Sequence, residues 1–161
     1  MSENRLLLAD TMVVTWYVLD PSRLTDTAVK AMERETTMDR PISVSAYSVV
    51  ELVYMTEKSS NGITPQELEV VRNVLADPVG PFVVVPVDGD VAFGVAAVPR
   101  TFTTDNGTVT TNADPGDRII AATALKHNLG LVTSDPKIHG LSTVIPQLCI
   151  VWKLDERIEG P

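Results

Sequence analysis

Short apolar runs alternate with helical signals along this chain, and that alternation restricts it to an α/β fold built on a mostly parallel sheet. Leu6-Leu7-Leu8, Ile42-Ser43-Val44, Phe82-Val83-Val84-Val85 and Leu131-Val132-Thr133 read as buried strands. Between them, an apolar segment runs from Met12 to Leu19, and Thr25 caps a helix through about Thr36 with Ala28, Ala31 and Met32 facing inward. A helix from Ser45 is expected to reach Ser60 and stop before Asn61-Gly62. Thr64-Pro65-Gln66-Glu67 is a capping box opening a helix to Ala76, and a helical segment follows over Asp90 to Val98. The helix from Pro115 to Asn128 is apolar on most sides and should be central, with Gly130 ending it. Residues 100–113 are Thr-rich around Asp105-Asn106-Gly107 and read as a hairpin or loop, either an ordinary surface hairpin or a mobile flap. The expectation is a single domain over residues 1–161, an α/β/α sandwich.

Four acids stand where these elements change over. Asp10 ends the first strand, Asp135 follows the strand at Leu131, Glu51 lies near the second turn of the helix from Ser45, and Asp117 lies in the first turn of the helix from Pro115. The carboxyl ends of parallel strands face one crevice, so the four can converge there. Gathered carboxylates repel, and hard divalent cations such as Mg2+ or Mn2+ neutralise them. Each acid also fits a local role. Asp117 suits the third position of a capping box begun by Asp114, and Asp135 before Pro136 suits a helix cap. Asp10 and Glu51 fit such roles less well, because one follows a buried strand and the other interrupts Val49-Val50-Glu51-Leu52-Val53. A two-cation site activates water and stabilises the leaving oxygen of a phosphodiester. Asp10 and Asp135 would be its principal ligands, with Glu51 and Asp117 completing it. Thr11, Thr133 and Ser134 would orient carboxylates or water, or simply make local turn bonds.

Other chemistries lack their residues. No GxxxxGK[ST], GxGxxG or GxSxG occurs, and two histidines with one cysteine are too few for a Cys/His zinc site. His127 reads as a helix-end residue and Cys149 as a small buried hydrophobe. Phosphorylation of Asp10 is a further, more remote option. With 21 acidic against 13 basic residues and a net charge of -8, the chain is unsuited to broad adhesion to nucleic acid, although a metal-mediated substrate is compatible with it. No apolar run approaches a bilayer span and no secretory signal is evident, so a cytoplasmic protein is expected.

The segments Leu7-Leu8-Ala9-Asp10-Thr11, Val44-Ser45-Ala46-Tyr47-Ser48-Val49-Val50-Glu51-Leu52, Asp114-Pro115-Gly116-Asp117-Arg118-Ile119-Ile120-Ala121-Ala122-Thr123-Ala124 and Leu131-Val132-Thr133-Ser134-Asp135 resemble, in order and spacing, a PIN-domain ribonuclease of the VapC type. The resemblance implies a Rossmann-like domain and a Mg2+- or Mn2+-dependent endoribonuclease acting on tRNA or ribosomal RNA. It implies an acidic site at Asp10, Glu51, Asp117 and Asp135, a homodimer, and a cognate antitoxin that fills apolar grooves. Trp16 and Tyr17 would then line such a groove or belong to the core, and Arg118 and Lys137 would contact RNA phosphate or face water. A PIN-like domain that keeps its acids but acts through protein contacts is the alternative.

Overall fold

The computed structural model describes residues 5–103 and 110–153. In chain order the first half comprises β1 (Leu7–Ala9), α1 (Thr11–Leu19), α2 (Asp26–Thr37), β2 (Ile42–Ser45), α3 (Ala46–Thr56) and α4 (Pro65–Ala76). The second half comprises β3 (Phe82–Val85), α5 (Gly89–Gly94), β4 (Thr101–Thr103), β5 (Thr110–Asn112), α6 (Pro115–Lys126), β6 (Gly130–Val132), α7 (Pro136–Val144) and β7 (Cys149–Ile150). Single 3-10 turns stand at Pro21–Arg23 and Val95–Ala97.

The main sheet runs in the order β3-β2-β1-β6-β7 with every neighbouring pair parallel. Its order reverses between β1 and β6: the chain first builds outward through β2 and β3, then returns to the other side of β1. A crevice opens at such a reversal, outside the carboxyl ends of the strands. The register sets Leu8 opposite both Ser43 and Leu131, and Ala9 opposite Val132. Residues that alternate along β1 therefore feed two cores. Leu7 and Ala9 join Val13, Val14, Ala28, Met32, Leu52 and Val71 on one face. Leu8 joins Val91, Ile120, Ala121, Ile138 and Leu141 on the other. These two cores make the three layers of an α/β/α sandwich, and among the described residues no helix is long and apolar enough to cross a membrane.

Several boundaries differ from the expectation. The helix from Ser45 ends at Thr56 rather than Ser60: Ile63 donates back to the Met55 carbonyl, and the chain reverses through Asn61, whose φ is 55°. Gly62 is needed there because a Cβ would stand 2.2 Å from the Met55 carbonyl oxygen. Gly130 does not end α6. Asn128 takes the left-handed turn at φ 52°, and Gly130 begins β6, where a Cβ would crowd Val151 and Leu7 at 3.0 and 3.3 Å. Cys149 is only half-buried, because β7 is an edge strand. Within residues 100–113, β4 pairs antiparallel with β5, Phe102 opposite Thr111; the expected Asp105-Asn106-Gly107 turn lies outside the described residues. Val50 and Val53 are 44% and 45% exposed, so the apolar stretch around Glu51 is not wholly buried.

Sequence patterning did not single out Glu35, which is fully buried inside α2 and paired with Arg40 at 2.8 Å and Arg34 at 3.2 Å. The left-handed turn at Asp39 brings Arg40 back to it. A buried carboxylate persists only with such partners. Replacing Arg40→Met should cost about 2–4 kcal/mol in urea unfolding, with Glu35→Gln in the same background recovering part of it.

Candidate active site

Asp10, Asp117 and Asp135 stand at the caps or first turns of helices that the sheet reversal brings together, and Glu51 stands midway along α3. Asp10 leaves β1 with its own N–H donating to the Val132 carbonyl (3.0 Å) and serves as N-cap of α1. Its Oδ1 accepts from the Thr11 N–H and its Oδ2 from the Thr133 hydroxyl, both at 2.6 Å. The Thr133 hydroxyl also accepts from the Asp135 N–H (3.1 Å), so one fully buried side chain ties two acids together. Asp135 caps α7 by accepting from the Lys137 N–H (2.8 Å). Across the crevice, the Thr11 hydroxyl donates to Glu51 Oε2. Asp114 and Asp117 complete a reciprocal capping box at the start of α6, with Asp117 Oδ2 accepting from the Asp114 N–H (3.2 Å) and Asp114 Oδ1 from the Asp117 N–H (3.0 Å). Local capping and site-building are thus the same bonds for Asp10, Asp117 and Asp135.

Asp10, Glu51, Asp117 and Asp135 all line one cavity of about 640 Å³, together with Thr11, Trp16, Tyr47, Tyr54, Lys58 and Ser134. Neither Tyr47 nor Gly116 is marked out by periodicity or by the placement of acids in the sequence. Tyr47 and Glu51 are four residues apart on α3, hence on one face, and both press against Gly116: a Cβ there would meet the Tyr47 ring at 2.7 Å and Glu51 Oε1 at 2.9 Å. Only glycine lets α3 and α6 approach this closely. Trp16 is half-buried, stacked 4.6 Å beneath the Arg23 guanidinium and 6.1 Å from Trp152, while Tyr17 packs edge-on to Phe82 at 5.0 Å. Trp16 therefore reaches both the acid cavity and the core, and Tyr17, partly buried against the same core, also lines two cavities away from the acids. Arg118 is not free to follow phosphate, because its guanidinium donates to the Val98 and Val95 carbonyls at 2.9 and 3.1 Å. His127 is the C-cap of α6, and His139 Nε2 donates to the Thr133 carbonyl (2.7 Å).

The electrostatics record how poorly the acids are compensated. Burial raises the carboxyl of Asp10, and Asp135 and Asp114 raise it further against the Thr133 and Thr11 hydrogen bonds. Burial and Asp10 likewise raise Glu51 against the Thr11 hydroxyl. Asp117 is pushed up to about 7, first by burial and then by Asp135 and Asp114. Burial, Glu51 and Asp114 raise the Tyr47 phenol, which keeps its proton and remains a donor at neutral pH. Among the described residues, no three acid, histidine or cysteine side chains are drawn into a formed metal-ligand cluster. The donor set nonetheless fits a hard divalent cation: it is all oxygen, recessed, and its charge is opposed by burial and mutual repulsion.

These shifts fix a pH dependence. The folded-state pKa of Asp117 lies above its ordinary value of 3.8, so the stabilising neutral form is fully present below about pH 4 and its advantage is lost as pH rises to about 7. In EDTA the protein should therefore melt several degrees lower at pH 8 than at pH 5. Asp117→Asn, whose amide oxygen can still accept from Asp114, should flatten that difference in thermal melts.

The comparisons with known proteins agree with this geometry. The PIN domain family pattern matches residues 7–142. The chain is 30% identical over 146 residues to Ribonuclease VapC22 of Mycobacterium tuberculosis, covering 91% of this chain and 98% of that protein. Among solved structures, VapBC2 from Rickettsia felis bound to a DNA fragment from their promoter aligns with a TM-score of 0.62 and 18% identity over 92% of this chain and 99% of that one. FitAcB from Neisseria gonorrhoeae aligns with a TM-score of 0.58 and 24% identity, covering 90% and 96%. The sheet order, the acid cavity and these matches together make the chain a member of the PIN domain family, of the VapC type.

Proposed function

We propose that this chain is a Mg2+- or Mn2+-dependent endoribonuclease, the toxin of a toxin–antitoxin pair, cleaving structured RNA of the tRNA or ribosomal RNA class. The observation that carries the reading is the convergence of Asp10, Glu51, Asp117 and Asp135 on one cavity, where burial raises the carboxyls of Asp10, Glu51 and Asp117. The similarity to Ribonuclease VapC22 supports the ribonuclease class. A similarly folded solved structure is a toxin–antitoxin complex from Klebsiella pneumoniae, which supports an antitoxin partner. An apolar groove between α3 and α4, lined by Val49, Leu52, Val53, Leu68, Leu75 and Val84, is a surface that an antitoxin or a second subunit would cover.

In this reading Asp10 and Asp135 would hold the cation, with Asp117 and Glu51 completing the oxygen donor set. The cation supplies activation of the attacking water and stabilisation of charge on the phosphodiester. The remaining chemistry is positional. Thr133 fixes the Asp10 carboxylate and the start of α7, Thr11 fixes Glu51, and Asp114 holds Asp117 at the mouth of α6. Tyr47 presents a protonated phenol to the cavity and suits a phosphate oxygen, while Ser134 lines the opposite wall.

Purified protein should cut a mixed tRNA and ribosomal RNA pool at discrete positions with Mn2+, and EDTA should abolish the cuts. Asp10→Asn should lower the rate by roughly 100-fold or more while keeping the fold, and Thr133→Val should lower it about 10–100-fold by loosening the carboxylates. The apolar groove between α3 and α4 favours one other reading, a PIN-like module acting through protein contacts. No Mn2+ binding by calorimetry and no cleavage would replace the nuclease with that module.

A further inference from the structure

Beside the acid cavity lies a second cavity of about 540 Å³, bounded by the base of the β4–β5 hairpin, the start of α6 and the first turn of α7. The two are contiguous through α6 and α7: Asp117 and Pro136 line the first, while Asp114 and Lys137 line the second. Three of the chain's 13 basic residues, Arg100, Arg118 and Lys137, face this second space. On a chain of net charge -8, a polyanion can approach only where cations are gathered.

The three cations are not equivalent. Arg118 is committed to the Val95 and Val98 carbonyls, so it shapes the wall and does not reach outward. Lys137 Nζ stands 3.7 Å from the Asp114 carboxylate with both side chains about half exposed, a contact worth little and readily exchanged. Arg100 is exposed, and its backbone carbonyl accepts from the Ala113 N–H (2.8 Å), which fixes where its side chain departs from the hairpin. On the α3 side of the acids, Lys58 lines the first cavity. The acids are thus flanked by Lys58 on one side and by Arg100 and Lys137 on the other.

We infer that Arg100 and Lys137 bind the backbone phosphate of a single-stranded RNA next to the phosphodiester held at the acids, an assignment that rests on the ribonuclease reading above. A guanidinium suits the two oxygens of a phosphate, and an ammonium adds a point charge beside it. A single strand fits because Asp10 and Asp117 are each only 8% exposed, so the backbone must bend into the recess. The rings of Tyr47 and Tyr54 on the same cavity offer faces for unstacked bases. An acidic peptide would gain nothing from the continuity with the acid cavity.

The test measures binding of a fluorescein-labelled oligouridylate by anisotropy across a salt series, in the Asp10→Asn background with Mg2+ so that the RNA stays intact. Arg100→Ala and Lys137→Ala should each raise the Kd about 3–10-fold and reduce the log–log salt slope by about 0.7, while Arg100→Lys keeps most of the affinity. The same alanine changes in the wild-type background should raise the KM for a long RNA and leave the cleavage position unchanged. Unchanged affinity and slope in both alanine variants would overturn the assignment. So would polyglutamate competing as well as unlabelled oligouridylate, or the absence of salt-dependent binding before any substitution. RNA binding that needs both cations, without Mn2+-dependent cleavage by the wild type, would remove the nuclease reading and keep the phosphate site.

Discussion

The hydroxyl of Thr133 is the contact on which the acid cavity depends. It donates to Asp10 at the end of β1 and accepts from the Asp135 N–H at the start of α7, so it fastens the two halves of the sheet at the point where strand order reverses. Parallel pairing of Ala9 with Val132 puts the strand ends level, and the hydroxyl sets the carboxylate's angle. A fully buried threonine can do this because its β-branched body fills the core space while its oxygen satisfies two polar partners. Valine would fill the space and leave both partners unmet.

Around that contact the protein uses the same bonds twice. Helix caps ordinarily satisfy the free N–H groups of a first turn. Here the cap oxygens of Asp10, Asp114 and Asp135, with Asp117 in return, hold carboxylates in fixed positions around one space. The cost appears as carboxyls raised by burial and by one another. Gly116 adds to it by letting α3 bring Glu51 and Tyr47 against the mouth of α6.

Much of this was legible from the chain itself. Apolar runs marked β1, β2, β3 and β6, with acids closing the first and the last, and the Thr64–Glu67 and Asp114–Asp117 boxes appear as their spacing predicts. Tertiary contacts decided what remained. The end of α3 was misjudged because a backbone bond from Ile63 to Met55 closes it early, which no local signal announces. The ion pairing of Glu35 depends on a left-handed residue at Asp39, and the role of Gly130 depends on Val151 and Leu7, both remote in sequence. Arg118 looked like a free surface cation, yet its partners are carbonyls 20 and 23 residues away. Side chains whose role is fixed by distant backbone are invisible to periodicity.

The bond from Thr133 to Asp10 spans 123 residues of chain. Contacts of such separation form late, since the loop they close must be ordered first. As the chain leaves the ribosome, Asp10 and Glu51 emerge early, but they have no opposing wall until β6 has been made and has docked against β1. The assembled site therefore waits for β6, and the order of synthesis itself delays the moment at which the acids first face one another.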